Sequence, residues 1–224
     1  STTIASRVET LGVVMETVGR NAGYSKQEVE AYSESVKQMG ITTQASHQTV
    51  IRMMQAQMDL NQASNLARVA QDAAVIGNIN SSEALERMIQ GIQRGETEIM
   101  KTIGLNVSFE NSYKVLAAQL GKNTDKLTEA EKVQARTNVT LEAGARIAGT
   151  YEAAMGTVGK QLLSLPRYIE EAQRKFGELF TPATSVLIVE FTENLKKLNA
   201  ELDTMKKAGD LDAWSDKLAE GMRE

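Results

Sequence analysis

Few residues of this chain are of the types that do chemistry, and their spacing assembles none of the familiar constellations. His47 is the sole histidine and there is no cysteine, so no second imidazole or thiolate completes a metal site and no cysteine nucleophile exists. No serine or carboxylate stands at a diagnostic spacing from His47, which reads as a solvated or capping histidine. Arg68 and Asp72 lie one helical turn apart and read as a surface ion pair. Glu129 and Glu131 open a helix, where its dipole favours acids. The other Asp and Glu pairs fall on solvated faces, so no acid/base pair of the glycosidase kind stands out. No glycine-rich loop follows a strand, hence no nucleotide cradle. The ten methionines, including adjacent Met53 and Met54, suit core packing better than a binding groove. The expectation is a chain with no catalytic, cofactor or metal site, and not an enzyme.

Composition narrows the class further. The 224 residues suffice for one large or two small domains with a sizeable core. The chain starts at Ser1 without a methionine and ends on a charged helix, as an excised segment would. A net charge of −4, mixed in sign and without a basic block, supports no direct nucleic-acid site. The lack of cysteine fits a reducing compartment. No run approaches the roughly 20 apolar residues of a spanning helix, and no signal-peptide pattern opens the chain.

The elements that must carry any function are helices. The expected fold class is all-α: a multi-helix bundle with two or three long helices and several short capping helices. Its organising stretch is a low-charge helix from Thr43 to about Ile76, on which Met53, Ala56, Leu60, Ala63, Ala67, Ala70 and Ala74 step by three and four residues. That face is mostly alanine, so a neighbouring helix can approach to the short end of the usual range of about 8–10 Å between axes. Before it, Ile4, Val8, Leu11, Met15 and Val18 stripe a first helix. The capping box Ser25-Lys26-Gln27-Glu28 then opens a second, closed at Gly40. After it, Asn80-Ser81-Ser82-Glu83 starts a helix running to Gly95. Glu96 to Ile103 forms a short one, and Tyr113, Leu116, Ala117 and Leu120 mark another.

Lys122 to Lys126 is the most loop-like stretch. It sets a soft boundary between an N-terminal subdomain, residues 1–121, and a C-terminal long-helix subdomain, residues 127–224. The capping box Thr128-Glu129-Ala130-Glu131 opens a second long helix, striped by Val139, Ala143, Ile147, Tyr151, Ala154, Val158 and Leu162. Gly144, Gly149, Gly156 and Gly159 weaken it, each by up to about 1 kcal/mol relative to alanine, and so imply close contact or a bend. Pro166 kinks or restarts the chain, and Ile169, Ala172, Phe176 and Leu179 continue an apolar face. Thr181-Pro182 begins the cleanest heptad, Ile188, Phe191, Leu195, Leu198, Leu202 and Met205, a coiled-coil seam of about two and a half repeats. The two seams, Met53 to Ala74 and Ile188 to Met205, are the candidate helix-packing interfaces.

The run Leu66-Ala67-Arg68-Val69-Ala70-Gln71-Asp72-Ala73-Ala74-Val75-Ile76-Gly77, then Asn80-Ser81-Ser82-Glu83-Ala84 and Ile103-Gly104-Leu105, resembles a segment of phage and prophage tail tape measure proteins. The family's Tyr-Lys-x-x-Ala element is matched by Tyr113-Lys114-Val115-Leu116-Ala117. Leu127 to Lys132 and Gly149 to Met155 look similar too, and the likeness covers roughly residues 61–155. It implies a long, mostly helical chain in the lumen of a growing tail tube, setting its length and leaving ahead of the DNA. Tail tube subunits, tail assembly chaperones and tail-tip proteins are the implied partners, with self-association through the seams and membrane contact only during ejection. The implied localisation is the host cytoplasm during assembly, then the virion tail lumen. Two other classes remain: a membrane-active helical protein, either pore former or lipid binder, and a domain of a cell-wall-degrading enzyme.

Overall fold

In the computed structural model the described residues are 2–179 and Lys197. They fall into two compact units, one formed by Thr2–Arg174 and the other by Lys175–Glu224 with Ser1. The first unit is all-helical. Its helices, in chain order, are α1 Thr2–Asn21, α2 Lys26–Gln38, α3 Thr43–Gln55, α4 Ala63–Gly77, α5 Ser81–Arg94, α6 Thr97–Thr102, α7 Phe109–Gln119, α8 Glu129–Ala145, α9 Thr150–Ala154 and α10 Val158–Leu179, the last running on past Arg174. Among the described residues there is no strand.

Most boundaries are set by local chemistry visible in the residues. Ser25 and Thr128 accept the backbone N–H three residues on, and Glu28 and Glu131 reach back to the cap N–H, closing both capping boxes. Asn80 and Ser108 cap α5 and α7 through their side chains. Gly95, at φ 71°, closes α5 in the left-handed conformation that costs glycine little.

Two expected long helices are broken. The stretch from Thr43 to Ile76 is α3, a turn in which Gln57 takes φ 55°, a single 3-10 turn at Leu60–Gln62, and then α4. Asp59 accepts the Asn61 N–H at 3.0 Å, which starts the new turn. This aspartate competes for backbone amides inside what periodicity alone reads as one helix. The second break divides Glu129 to Leu162 into α8, α9 and the start of α10, with Gly149 at φ 87° making the first corner. Pro166, by contrast, lies within α10 and does not end it.

The core is continuous across the unit. It joins Met15 of α1, Val29 and Val36 of α2, Val50 and Met53 of α3, Leu66 and Ala70 of α4, and Leu85, Met88, Ile89 and Ile92 of α5. Met100, Ile103, Leu105, Val133 and Ala143 also belong to it. Residues 122–126, expected as a boundary, fall inside this unit, and α7 packs on α8 across them. Lys122 reinforces that joint with an ion pair to Glu131 at 2.5 Å. The helices expected from Thr181 onward, with the seam Ile188, Phe191, Leu195, Leu198, Leu202 and Met205, lie outside the described residues.

His47 is placed differently from its expected solvated or capping role. It is half-buried between α1 and α3, with its Nδ1 buried and without a hydrogen-bond partner, as is the neighbouring Ser46 hydroxyl. Burial holds its pKa below the ordinary value of 6.5 against a backbone hydrogen bond at Val8. Lys37 and Arg174 add to the lowering and Glu30 opposes it. The folded state therefore disfavours the imidazolium: its stabilising neutral form is fully available above about pH 6.5 and stability is lost as pH falls below that value. Urea midpoints at about pH 7.5 and about pH 5.5 are expected to fall further apart in the wild type than in His47→Gln. Equal pH dependence in the two proteins would refute this assignment.

Candidate functional site

The expected small-residue seam is buried inside the unit. Met53, Leu60, Ala63, Ala67, Ala70 and Ala74 are all buried to 1% exposure or less, and Ala56 is partly buried against the same core. They do not lie on one straight helix, because the turn at 56–59 separates Met53 and Ala56 from the rest. Ala63, Ala67, Ala70 and Ala74 fall on α4, which packs against α2, α5, α8 and α9. With this face enclosed by the chain's own helices, the close approach that small residues permit is used within the unit.

One close approach is between α4 and α8. A Cβ built on Gly144 would stand 2.7 Å from Val69 Cγ1, closer than real Cβ contacts come, and 3.1 Å from Val69 Cβ, tighter than most of them. A second joint is polar. Asp72, 4% exposed, accepts the Tyr151 N–H at 2.8 Å, closing an open amide at the start of α9. Arg68 turns outward to Glu152 at 2.8 Å. The expected Arg68–Asp72 pair is thus replaced by two separate links between α4 and α9, because Asp72 faces inward and Arg68 faces solvent.

A third joint was not anticipated. Arg136 of α8 is 3% exposed. Its Nη1 donates to the Gln93 carbonyl at 3.2 Å, its Nε to the Lys132 carbonyl at 3.3 Å, and its Nη2 to Glu129. The guanidinium carbon lies 6.0 Å from the centre of the Tyr113 ring. One buried cation thus ties α5, α7 and α8, and Glu129, expected only to complement a helix dipole, also anchors it. The α8 stripe read from Val139 missed this face: Val133, Thr137, Thr140 and Gly144 are buried too. Thr137 and Thr140 donate to the carbonyls four residues back, at 2.9 and 2.7 Å, so both hydroxyls are satisfied inside the helix and their methyls can pack.

Comparison with protein-family models, with curated proteins and with solved structures returns no match to this chain.

The remaining geometry is of docking and capping. A groove of about 390 Å³ runs between α7 and α8, with Asn106, Asn111, Asn138, Gln119, Glu142 and Arg146 around Val107, Leu116 and Ala143. Glu142 and Arg146 are one turn apart. They offer no paired carboxylates and no nucleophile beside a base. Among the described residues, no group of three or more His, Asp or Glu could hold a metal ion. Lys160 is 4% exposed with its ammonium 5.0 Å from the Tyr151 ring centre, and burial, then Arg167, holds its pKa below the ordinary lysine value. At the corner between α2 and α3, Glu171 of α10 accepts the Thr43 N–H at 2.6 Å and the Thr43 hydroxyl at 3.2 Å. Burial pushes Glu171 up, but the Thr43 N–H and Arg174 outweigh it and leave the carboxyl below its usual range. Beside it, burial raises Glu170, with Thr42 opposing and Glu171 adding to the rise.

Proposed function

We propose that this chain is a structural segment of a phage or prophage tail tape measure protein, acting through helix packing during tail assembly and DNA delivery. The observation that carries the reading is the coincidence of the resembling stretches with the joints of one unit. Residues 66–77 are nearly all of α4, which packs on α2, α3, α5, α8 and α9. Asn80 to Ala84 caps and begins α5, Tyr113 to Ala117 lies in α7, Thr128 to Lys132 caps and begins α8, and Gly149 to Met155 spans α9. In this reading the partners are tail tube subunits, assembly chaperones and tail-tip proteins, with other copies of the chain where seams are shared. The protein resides in the host cytoplasm and then in the tail lumen. The finer architecture of two or three long helices, expected on Thr43 to Ile76 and from Glu129 on, does not support the reading, since both stretches are divided in this unit.

No helix among the described residues is long and apolar enough to cross a membrane, and no observation favours the membrane-active or cell-wall-degrading alternatives. The test is an in-frame deletion of the codons for residues 2–174 in the parent phage, with tail length measured by negative-stain electron microscopy. At about 1.5 Å per helical residue these 173 residues could span up to roughly 260 Å of tube. Shortened tails, by an amount up to that limit, are expected. Tails of unchanged length would defeat the proposal.

A further inference from the structure

α10 is docked the opposite way round from an ordinary amphipathic helix. Lys160, Ser164, Arg167, Glu171 and Arg174, spaced by four, three, four and three residues, form one polar stripe, the arrangement of a single helix face. Lys160 and Ser164 are buried, while Arg167, Glu171 and Arg174 are half-buried. Leu162, Leu165, Ile169 and Ala172 form an apolar stripe on the other side, of which Leu162, 44% exposed, and Ala172 are exposed while Leu165 and Ile169 are half-buried. A helix normally turns its apolar stripe to the core.

Lys160 stands over the Tyr151 ring and Ser164 donates to the Lys160 carbonyl, whereas the rest of the stripe bonds at one corner, residues 39–43 between α2 and α3. Arg167 Nη1 donates to the Gly40 carbonyl at 2.7 Å. Glu171 takes the Thr43 N–H and hydroxyl, and Arg174 Nε donates to Glu171 at 3.1 Å. The corner is shaped for this: Gly40 sits at φ 73°, and a Cβ there would collide with the Arg167 guanidinium. Gln71 of α4 braces the same corner by donating to the Met39 carbonyl at 2.5 Å.

The other end of α10 is a joint. α9 is fixed to α4 through Asp72 and Arg68, and only Met155, Gly156 and Thr157 separate α9 from α10. Cβ atoms built on Gly156 and Gly159 meet nothing within 4 Å, so these glycines serve no close packing there. Pro166 supplies no N–H to the Leu162 carbonyl one turn before the latch.

We propose that α10 is a strap, hinged at residues 155–157 and latched to the α2–α3 corner by Arg167 and Glu171. Its polar bonds can be exchanged for bonds to water, whereas apolar burial cannot, so the strap lifts while the unit beneath stays folded. The chain has no native cysteine, which allows spin labels to be placed at Gln48→Cys on α3 and Gln173→Cys on α10. Pulsed dipolar spectroscopy is expected to give one dominant short distance in the otherwise wild-type chain. Combining Arg167→Met with Glu171→Gln shifts the short-to-long ratio by about tenfold or more, with distances longer by up to about 20 Å, set by some sixteen residues of helix beyond the hinge. Circular dichroism melts of the unit move little, and Leu162→Ser on the outward face leaves the ratio unchanged. A wild type dominated by the long distance, variants with the wild-type ratio, or variants that lose the cooperative melt of the whole unit would each overturn the strap.

Discussion

Gly144→Ala is expected to lower the stability of the unit by about 1 to 2 kcal/mol, or roughly 3–6 °C in melting temperature, although alanine is the better helix former. The gain in helix propensity is at most about 1 kcal/mol, and less here because Gly144 is the penultimate residue of α8. Against it stands overpacking, which costs typically about 1–3 kcal/mol. The new methyl would press on both Val69 methyls and on Val69 Cβ at 3.1 Å. Valine in a helix has essentially one χ1 rotamer, so the collision is relieved only by separating α4 from α8. Val69→Ala in the same chain removes the obstacle, and a double-mutant cycle should return a favourable coupling of about 0.5 kcal/mol or more. Additive effects of the two substitutions, or a Gly144→Ala melt at or above wild type, would mean that the two helices are not in close contact.

Gly144 also illustrates how far the residues themselves disclosed the fold. Its position in a helical run implied close contact or a bend, and it makes the contact, while Gly149 makes the corner. The caps were legible because a cap is local: Ser25, Asn80 and Thr128 each act within three residues of chain. What stayed hidden was decided by partners distant in sequence. A period of three and four runs unbroken through residues 53–74, so periodicity carried one helix across Gln57, where the backbone turns to positive φ. Periodicity reports which residues are buried, and all those seam positions are buried or partly buried. It does not report whether they share one axis. The inward polar stripe of α10 was hidden for the same reason, since expectation places apolar residues inside and the bonds that hold Arg167 and Glu171 come from residues 127 and 128 positions away.

Arg136→Ala is expected to cost about 2–4 kcal/mol, one of the largest effects of any single substitution in the unit. The guanidinium is 3% exposed, so its removal leaves a cavity as well as broken bonds. The Gln93 carbonyl beyond the reach of α5's own last turn loses its donor, Glu129 loses its pair, and the face of Tyr113 loses a cation. The energy does not come mainly from the ion pair. The Glu129 side chain is 70% exposed, so Glu129→Gln should cost less than about 1 kcal/mol. Arg136→Met, which refills the volume without the charge, should fall between the two, because apolar replacement of a buried ion often recovers part of its stabilisation. Arg136→Lys should resemble Met more than Arg, since one ammonium cannot span the forked contacts to Gln93, Lys132 and Glu129. Chemical denaturation of the four variants ranks them, with Arg136→Ala lowest and Glu129→Gln nearest to wild type. If Glu129→Gln cost as much as Arg136→Ala, the joint of α5, α7 and α8 would be a salt bridge at its edge, and the guanidinium in the interior would be incidental to it.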